Sequence, residues 1–490
     1  MDFYTHGDVR DLKSFAAVDA AITHIRDLYT QSVQAIEAAY DALLRGEEVN
    51  MDALDACYPY VGVNISPESI ENVDATLAFG MVDSPGSYGI TLTKPALFQD
   101  YYAEQLMLIQ KNHGCEILVG RSRWPIPLPF IPHLNQGTLT EEQTRRLKHA
   151  FHMPDLSRIN DDIANAALGT GVKNFPLPLA LFTGERIDYS LDRLHHYTGT
   201  DPKHFQKFIL LTNYQRYIEP FQIHGYDVVS KNEDYTEFVA PGDVVTRCGE
   251  SGLYHEGITP TNLPQMPAYH LKRPDGQGIT FINIGVGPTN AKNITDHLAV
   301  LRPHCWVMLG HCAGLQNNQE LGDYAMAHAY VRDDKVLDDD LPPTIPLPPI
   351  AEVQVALQTA VANITQQTGR ELKSRMRTGT IITTDNRSWE LRFQEIFTRF
   401  RQSRAIALDM ESATIAGNGF RFRVPYGTLL CVSDKPIHGE LKLRGMANTF
   451  YKARVERHLL IGIEAIKLLQ QNTEQLHSRK LRSFDEPPFR

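Results

Sequence analysis

Two acidic motifs late in the chain, Asp409-Met410-Glu411-Ser412 and Ser433-Asp434, each close a short apolar run, AIAL and YGTLLCV. Between them, ESATIAGNGFRF reads as a helix. A strand–helix–strand unit crosses over right-handed with its strands parallel. The pattern therefore predicts both carboxylates at one carboxyl-terminal sheet edge, where open α/β sheets bind ligands. There one carboxylate can hold a sugar while the other protonates a leaving group. Cleaving an N-glycosidic bond needs that division of labour. The competing reading of Glu411 and Asp434 is a helix N-cap or a buried ion pair.

With 490 residues, the chain exceeds what one hydrophobic core organises, so two domains are expected. The net charge of −10 argues against a partner that is a nucleic acid polymer, while leaving room for a local basic pocket that takes one phosphate. Six cysteines are scattered without a CxxC pair, and Cys305 and Cys312 read as reduced core thiols. No ligand cluster suggests a metal. No charged start precedes an apolar stretch, and no apolar run reaches spanning length. The expectation is a cytoplasmic protein without a membrane anchor.

Residues 1–190 read as a compact α+β domain, a candidate regulatory or oligomer-contact module. A long amphipathic helix over SFAAVDAAITHIRDLYTQSVQAIEAAYDALLRG is followed by strand-like pieces, YVGVNI, ATLAFGMV and YGITLT. A second helix covers ALFQDYYAEQLMLIQKNHG, and a strand then runs into a proline-rich segment. Over 200–475 the rhythm becomes β-α-β, which predicts a mostly parallel twisted sheet flanked by helices. VLDDDLPPTIPLPPIAEV holds too many prolines for helix or central strand, so it reads as a surface loop, with a place over the active site as one option. Residues 476–490 read as a polar, loosely packed tail.

Gly285-Val286-Gly287-Pro288-Thr289-Asn290-Ala291 joins a strand to a helix and lacks both the dinucleotide and the Walker A signatures. Gly287 would let the backbone approach a ligand at a helix N-terminus. Gly310-His311-Cys312-Ala313-Gly314 reads as a second small-residue turn one strand later, with His311 either in a shared cleft or in the core. Gly120-Arg121-Ser122-Arg123-Trp124 is basic beside an aromatic ring. Arg121 and Arg123 could take a phosphate or an interdomain salt bridge, and both readings stand.

The order LLTNYQRYI, GVGPTNA, GHCAGL with Leu321-Gly322-Asp323, TTDN, LDMES and VSD resembles the nucleoside phosphorylase and nucleosidase superfamily over about 200–470. The extra N-terminal domain and the run VSDKPIHGELKLRGMANTFY extend the resemblance to the AMP nucleosidases, which hydrolyse AMP to adenine and ribose 5-phosphate. The resemblance implies that Glu411 binds the ribose 2′- and 3′-hydroxyls, that Met410 lies against the sugar, and that Asp434 is the general acid at purine N7 with Ser433 beside it. Thr383, Thr384 and Asp385 would border the base pocket, with Asn386 and Trp389 near it. Gly287 and Gly310 would line the cleft. Arg216 matches the phosphate-contacting arginine of the phosphorylases. No cofactor is implied for the chemistry. ATP with Mg as activator, phosphate as inhibitor and a homohexamer follow from the family alone.

Two departures stand out. The phosphorylase arginine ahead of the second glycine motif corresponds to Met308, and the phosphate-binding serine or threonine to His311. Both losses favour water over phosphate as the nucleophile. Thioether-nucleoside hydrolases carry a water-activating glutamate where this chain has Arg216. Two other readings remain: a purine nucleoside phosphorylase and a catalytically silent nucleotide sensor.

Overall fold

The computed structural model describes residues 6–50, 54–71, 73–131, 134, 139–166, 176–231, 233–440, 447–478, 481 and 485–490. It divides into two compact units, residues 1–192 with 482–490, and residues 193–481.

The first unit is α+β. Its five-stranded sheet is antiparallel apart from the edge pairing of Tyr88 and Gly89 with Leu177 and Pro178. A helix over Val18–Leu44 buries Ile22, Ile25, Leu28, Ile36 and Leu43 along one stripe, the spacing of an amphipathic helix. The second helix, Pro95–His113, starts on its proline and stops at Gly114 in the left-handed region, φ 58°. ATLAFGMV forms no strand. It packs as irregular chain, with Phe79, Met81 and Val82 buried.

The expected loose tail at 476–490 is corrected. Leu476 and Phe489 are buried, the Phe489 N–H donates to Leu179 O at 2.9 Å, and the Arg490 N–H donates to Gln105 Oε1 at 2.7 Å. Residues 485–490 are part of the first unit's fold. Two prolines disguise the segment, since a chain without helix or strand can still bury its last side chains.

In the second unit, seven strands position the site. They are β1 (Phe208–Thr212), β2 (Ile279–Asn283), β3 (Cys305–Gly314), β4 (Tyr324–Asp333), β5 (Met376–Thr384), β6 (Ala407–Asp409) and β7 (Tyr426–Asp434). Three helices matter to it: α1 (Pro288–Leu298), α2 (Phe393–Ser403) and α3 (Ser412–Arg421). The spatial order is β6-β5-β4-β7-β3-β1-β2, and antiparallel strands between Glu237 and Lys272 extend the β2 edge. Every residue of β3 is buried, which is why CWVMLG carries no polar alternation.

β6 also pairs with β3, so the strands β3-β7-β4-β5-β6 close into a ring. This overturns the parallel arrangement expected for the two acidic strands. β6 and β5 are parallel, as are β5 and β4, but β4 is antiparallel to β7. β6 therefore runs opposite to β7. The carboxylates still converge, because β3 lies between them: Ala313 pairs with Leu408 on one side and with Asp434 on the other. The second glycine motif is also corrected. Gly310 to Gly314 form no turn and continue β3.

The proline-rich segment packs against α3. An added Cβ at Gly417 would meet Leu337 Cδ1 at 2.8 Å, and Leu337, Leu341 and Leu347 are buried. Asp340 approaches Lys292 and Arg421, both at 3.4 Å.

Candidate active site

Glu411 is the N-cap of α3, two positions beyond the end of β6, and the first turn of the helix is pinned by Asp409. Asp409 Oδ1 accepts from Thr383 Oγ1 at 2.6 Å, and Oδ2 accepts from the Ser412 N–H at 2.9 Å and from the Ser412 hydroxyl. A buried carboxylate at a helix start satisfies N–H groups that the helix leaves unpaired. Thr383 Oγ1 also accepts from the Ala413 N–H at 2.8 Å. Its hydroxyl is thus spent holding the helix, and the side chain is fully buried. Thr383 thereby supports the Glu411 turn.

Glu411 is itself fully buried. Oε1 accepts from the Gly287 N–H at 2.7 Å, and Oε2 accepts from Asn213 Nδ2 at 2.9 Å. Gly287 holds φ 119°, a conformation that disfavours any side chain, and it caps α1 ahead of Pro288. Burial raises the Glu411 carboxyl above its ordinary value, with the nearby Asp409 charge adding to the rise and the two N–H donors opposing it. Asp409 is raised too, chiefly by burial. At this buried position ionisation is opposed, and the donors on both oxygens are what favour the charged form.

Asn213, just past β1, was missed by the sequence reading. It is buried, and its Oδ1 has no partner. A Cβ at Gly310 would come within 3.0 Å of that oxygen, so the small residue in β3 makes room for the amide. A polar residue directly after the fully apolar FILLT was the available signal. Asn213→Ala removes one donor from Glu411 and should move the rising limb of the kcat/KM profile to higher pH by about one unit. The sign follows from the loss of a group that favours the charged form. A uniform loss at every pH, with the limb unmoved, would assign Asn213 to packing alone.

On the other side of β3, β7 carries a bulge. The register slips so that Cys312 faces Val432 and Ala313 faces Asp434, which leaves Ser433 as the extra residue. Bulges re-aim side chains beside active sites. The Ser433 hydroxyl lies 2.7 Å from Asp434 Oδ1 and 3.3 Å from Cys312 O. Asp434 and Met410 are partly exposed, unlike Glu411.

The remaining candidates separate. Arg216 is exposed on a short 3-10 turn after β1. His311 is buried, its ring 4.9 Å from that of Tyr214 and 5.6 Å from that of Tyr217. Asp385 is exposed and paired with Lys335 at 3.0 Å. Asn386 Oδ1 accepts from the Ser388 N–H at 3.2 Å, a local turn. Trp389 is buried in a core cluster with Ile382, Phe400 and Leu408. Lys435 is paired with Glu440 at 2.6 Å. In the first unit, Arg121 donates to Ser32 and Gln31 and lies 3.8 Å from Asp55. These partners of Arg121 lie within the first unit. Arg123 stands over the Trp124 ring at 4.6 Å. Residues 441–446 of the run after Asp434 lie outside the described residues. Cys305 and Cys312 are buried free thiols.

Residues 264–465 match the phosphorylase superfamily, and residues 20–174 match a family described as the bacterial AMP nucleoside phosphorylase N-terminus. The second unit is thus a nucleoside phosphorylase-like α/β domain, preceded by a smaller α+β domain. The chain is 47% identical over 477 residues to the AMP nucleosidase of Escherichia coli K12, covering 96% of this chain and 98% of that protein; the figures for Escherichia coli O157:H7 are the same. This chain belongs to the AMP nucleosidase family. Among solved structures, the AMP nucleosidase from Bacteroides thetaiotaomicron is 29% identical, covers 58% of this chain and 98% of that one, and gives a TM-score of 0.43. The purine nucleoside phosphorylase from Toxoplasma gondii in complex with immucillin-H is 16% identical, covers 56% and 97%, and gives 0.39.

Proposed function

We propose that this chain hydrolyses the N-glycosidic bond of AMP to adenine and ribose 5-phosphate. Its end-to-end identity with the AMP nucleosidase of Escherichia coli carries the reading. The site supplies matching chemistry. The C1′–N9 bond breaks with its electron pair moving to the purine, and Asp434 gives a proton to N7. Positive charge grows on the ribose, where the Glu411 carboxylate accepts hydrogen bonds from the 2′- and 3′-hydroxyls and offsets that charge. Met410 packs against the sugar. Water adds to C1′ and loses its second proton to solvent or a base. Release of adenine from AMP tests the reading, and a protein that frees none refutes it.

Met308 and His311 in place of the phosphorylase anion ligands favour water over phosphate. Arg216 is assigned to the 5′-phosphate. A charge-assisted arginine–phosphate contact is worth ~1.5–3 kcal/mol. Arg216→Ala should therefore cost on the order of ten- to a hundredfold in kcat/KM for AMP and little for adenosine. Equal losses on both substrates would move Arg216 out of this role.

The same reading makes the protein a cytoplasmic homo-oligomer, a hexamer by family resemblance, with ATP plus Mg as activator and phosphate as inhibitor. Among the described residues no helix is long and apolar enough to cross a membrane, and no group of three or more His, Cys, Asp or Glu could hold a metal.

A further inference from the structure

A cleft of about 970 Å³ opens in the second unit, and neither Glu411 nor Asp434 lines it. Its walls are the start of β5, the end of α2, and the segments that follow β3 and β7. Lys373, Arg377, Arg401 and Arg404 line it, and no carboxylate does. Among the described residues none of the four forms an ion pair. Arg377 is fixed by Asn318, donating to its backbone O at 2.7 Å and to Oδ1 at 3.2 Å, and its Nε is buried without a partner. The floor is apolar, made of Phe397, Phe400, Ile406 and Ile437. On a chain of net charge −10, these four cations meet at one concavity with no carboxylate among them; Lys373, Arg401 and Arg404 are exposed and Arg377 is half-buried, so their mutual repulsion is partly screened by solvent. A bound anion relieves it.

We propose that this cleft binds an oligophosphate anion. A single phosphate group carries about −1.5 to −2 charges near neutrality and offsets about half of the cationic set. A chain of linked phosphates matches both the charge and the spread of the cations, and guanidinium forks suit its oxygens. His438 takes no part, since its Nε2 lies 3.2 Å from Leu315 O. The inference is independent of the AMP reading, because no catalytic candidate lines the cleft.

The test is calorimetric titration of the full chain with inorganic tripolyphosphate, and in parallel with orthophosphate. Wild type should bind tripolyphosphate more tightly, and added salt should weaken it. Lys373→Glu with Arg401→Glu should lower that affinity by at least about tenfold, with AMP turnover unchanged. Lys373→Gln with Arg401→Gln replaces the reversal pair if its melting temperature shows it unfolded. Unchanged tripolyphosphate affinity in the folded variant overturns the proposal. So does a loss that appears only with Arg216→Ala, which would place the anion in the active site. A changed oligomeric state at constant affinity would also overturn it, making the cleft a contact between copies.

Discussion

Glu411→Gln is expected to lose on the order of 10²–10³-fold in kcat/KM for AMP, because it removes the charge that opposes the developing positive sugar. 2′-Deoxy-AMP should be a poor substrate of the wild type for the same reason. The variant should nevertheless fold well. The Asn213 amide can turn so that its unpaired Oδ1 accepts from the new Gln NH2, while the single Gln oxygen keeps the Gly287 N–H. Its stability should moreover exceed that of the wild type near neutrality. Burial and Asp409 raise Glu411 in the folded state. Between the unfolded value and that raised value, the unfolded chain has released the proton and the folded chain holds it. Stability of the wild type therefore falls as pH rises through this window, and glutamine removes the dependence. Thermal melting at pH 5 and pH 8 checks the sign: the gap in favour of the variant should widen at pH 8. Full activity in the variant would remove Glu411 from the sugar site.

Asp434→Asn should lower kcat by ~10²–10⁴-fold while KM changes little, since the amide keeps the shape but supplies no proton to N7. 7-Deaza-AMP, with carbon in place of N7, should resist the wild-type enzyme. Appreciable turnover of that analogue, or near-wild-type kcat in the variant, would show that N7 protonation is not the route.

Much of this site is legible in the sequence because it is local. LDMES and VSD announce themselves as polar residues at the ends of apolar strands, and Gly287-Pro288 marks a strand-to-helix turn. What could not be read is what depends on distant pairing. β6 follows β5 in a parallel strand–helix–strand step, but its direction against β7 is set by the pairing of β6 with β3 and of β4 with β7, strands far apart in sequence. GHCAGL looks like a turn because its residues are small, yet β6 and β7 pair with it on both sides and keep it extended. The hydrogen bond from the Thr383 hydroxyl to Asp409 joins two strands and is likewise invisible in the sequence. Asn213 is silent in sequence because its role rests on Glu411, 198 positions away. Two buried carboxylates two positions apart, Asp409 bonded to the start of α3 and Glu411 to Gly287 and Asn213, have the same chemical signature, and their three-dimensional partners distinguish them.

The central claim is hydrolysis of AMP by water at C1′. Incubating the protein with AMP in ¹⁸O-labelled water, without phosphate, tests it most directly. The account predicts adenine and ribose 5-phosphate in equal amounts, with label in the C1 hydroxyl and a rate that does not require phosphate. To separate label added at bond cleavage from later anomeric exchange, the product must be trapped at early times. Turnover that depends on added phosphate and yields a C1-phosphorylated sugar would contradict it.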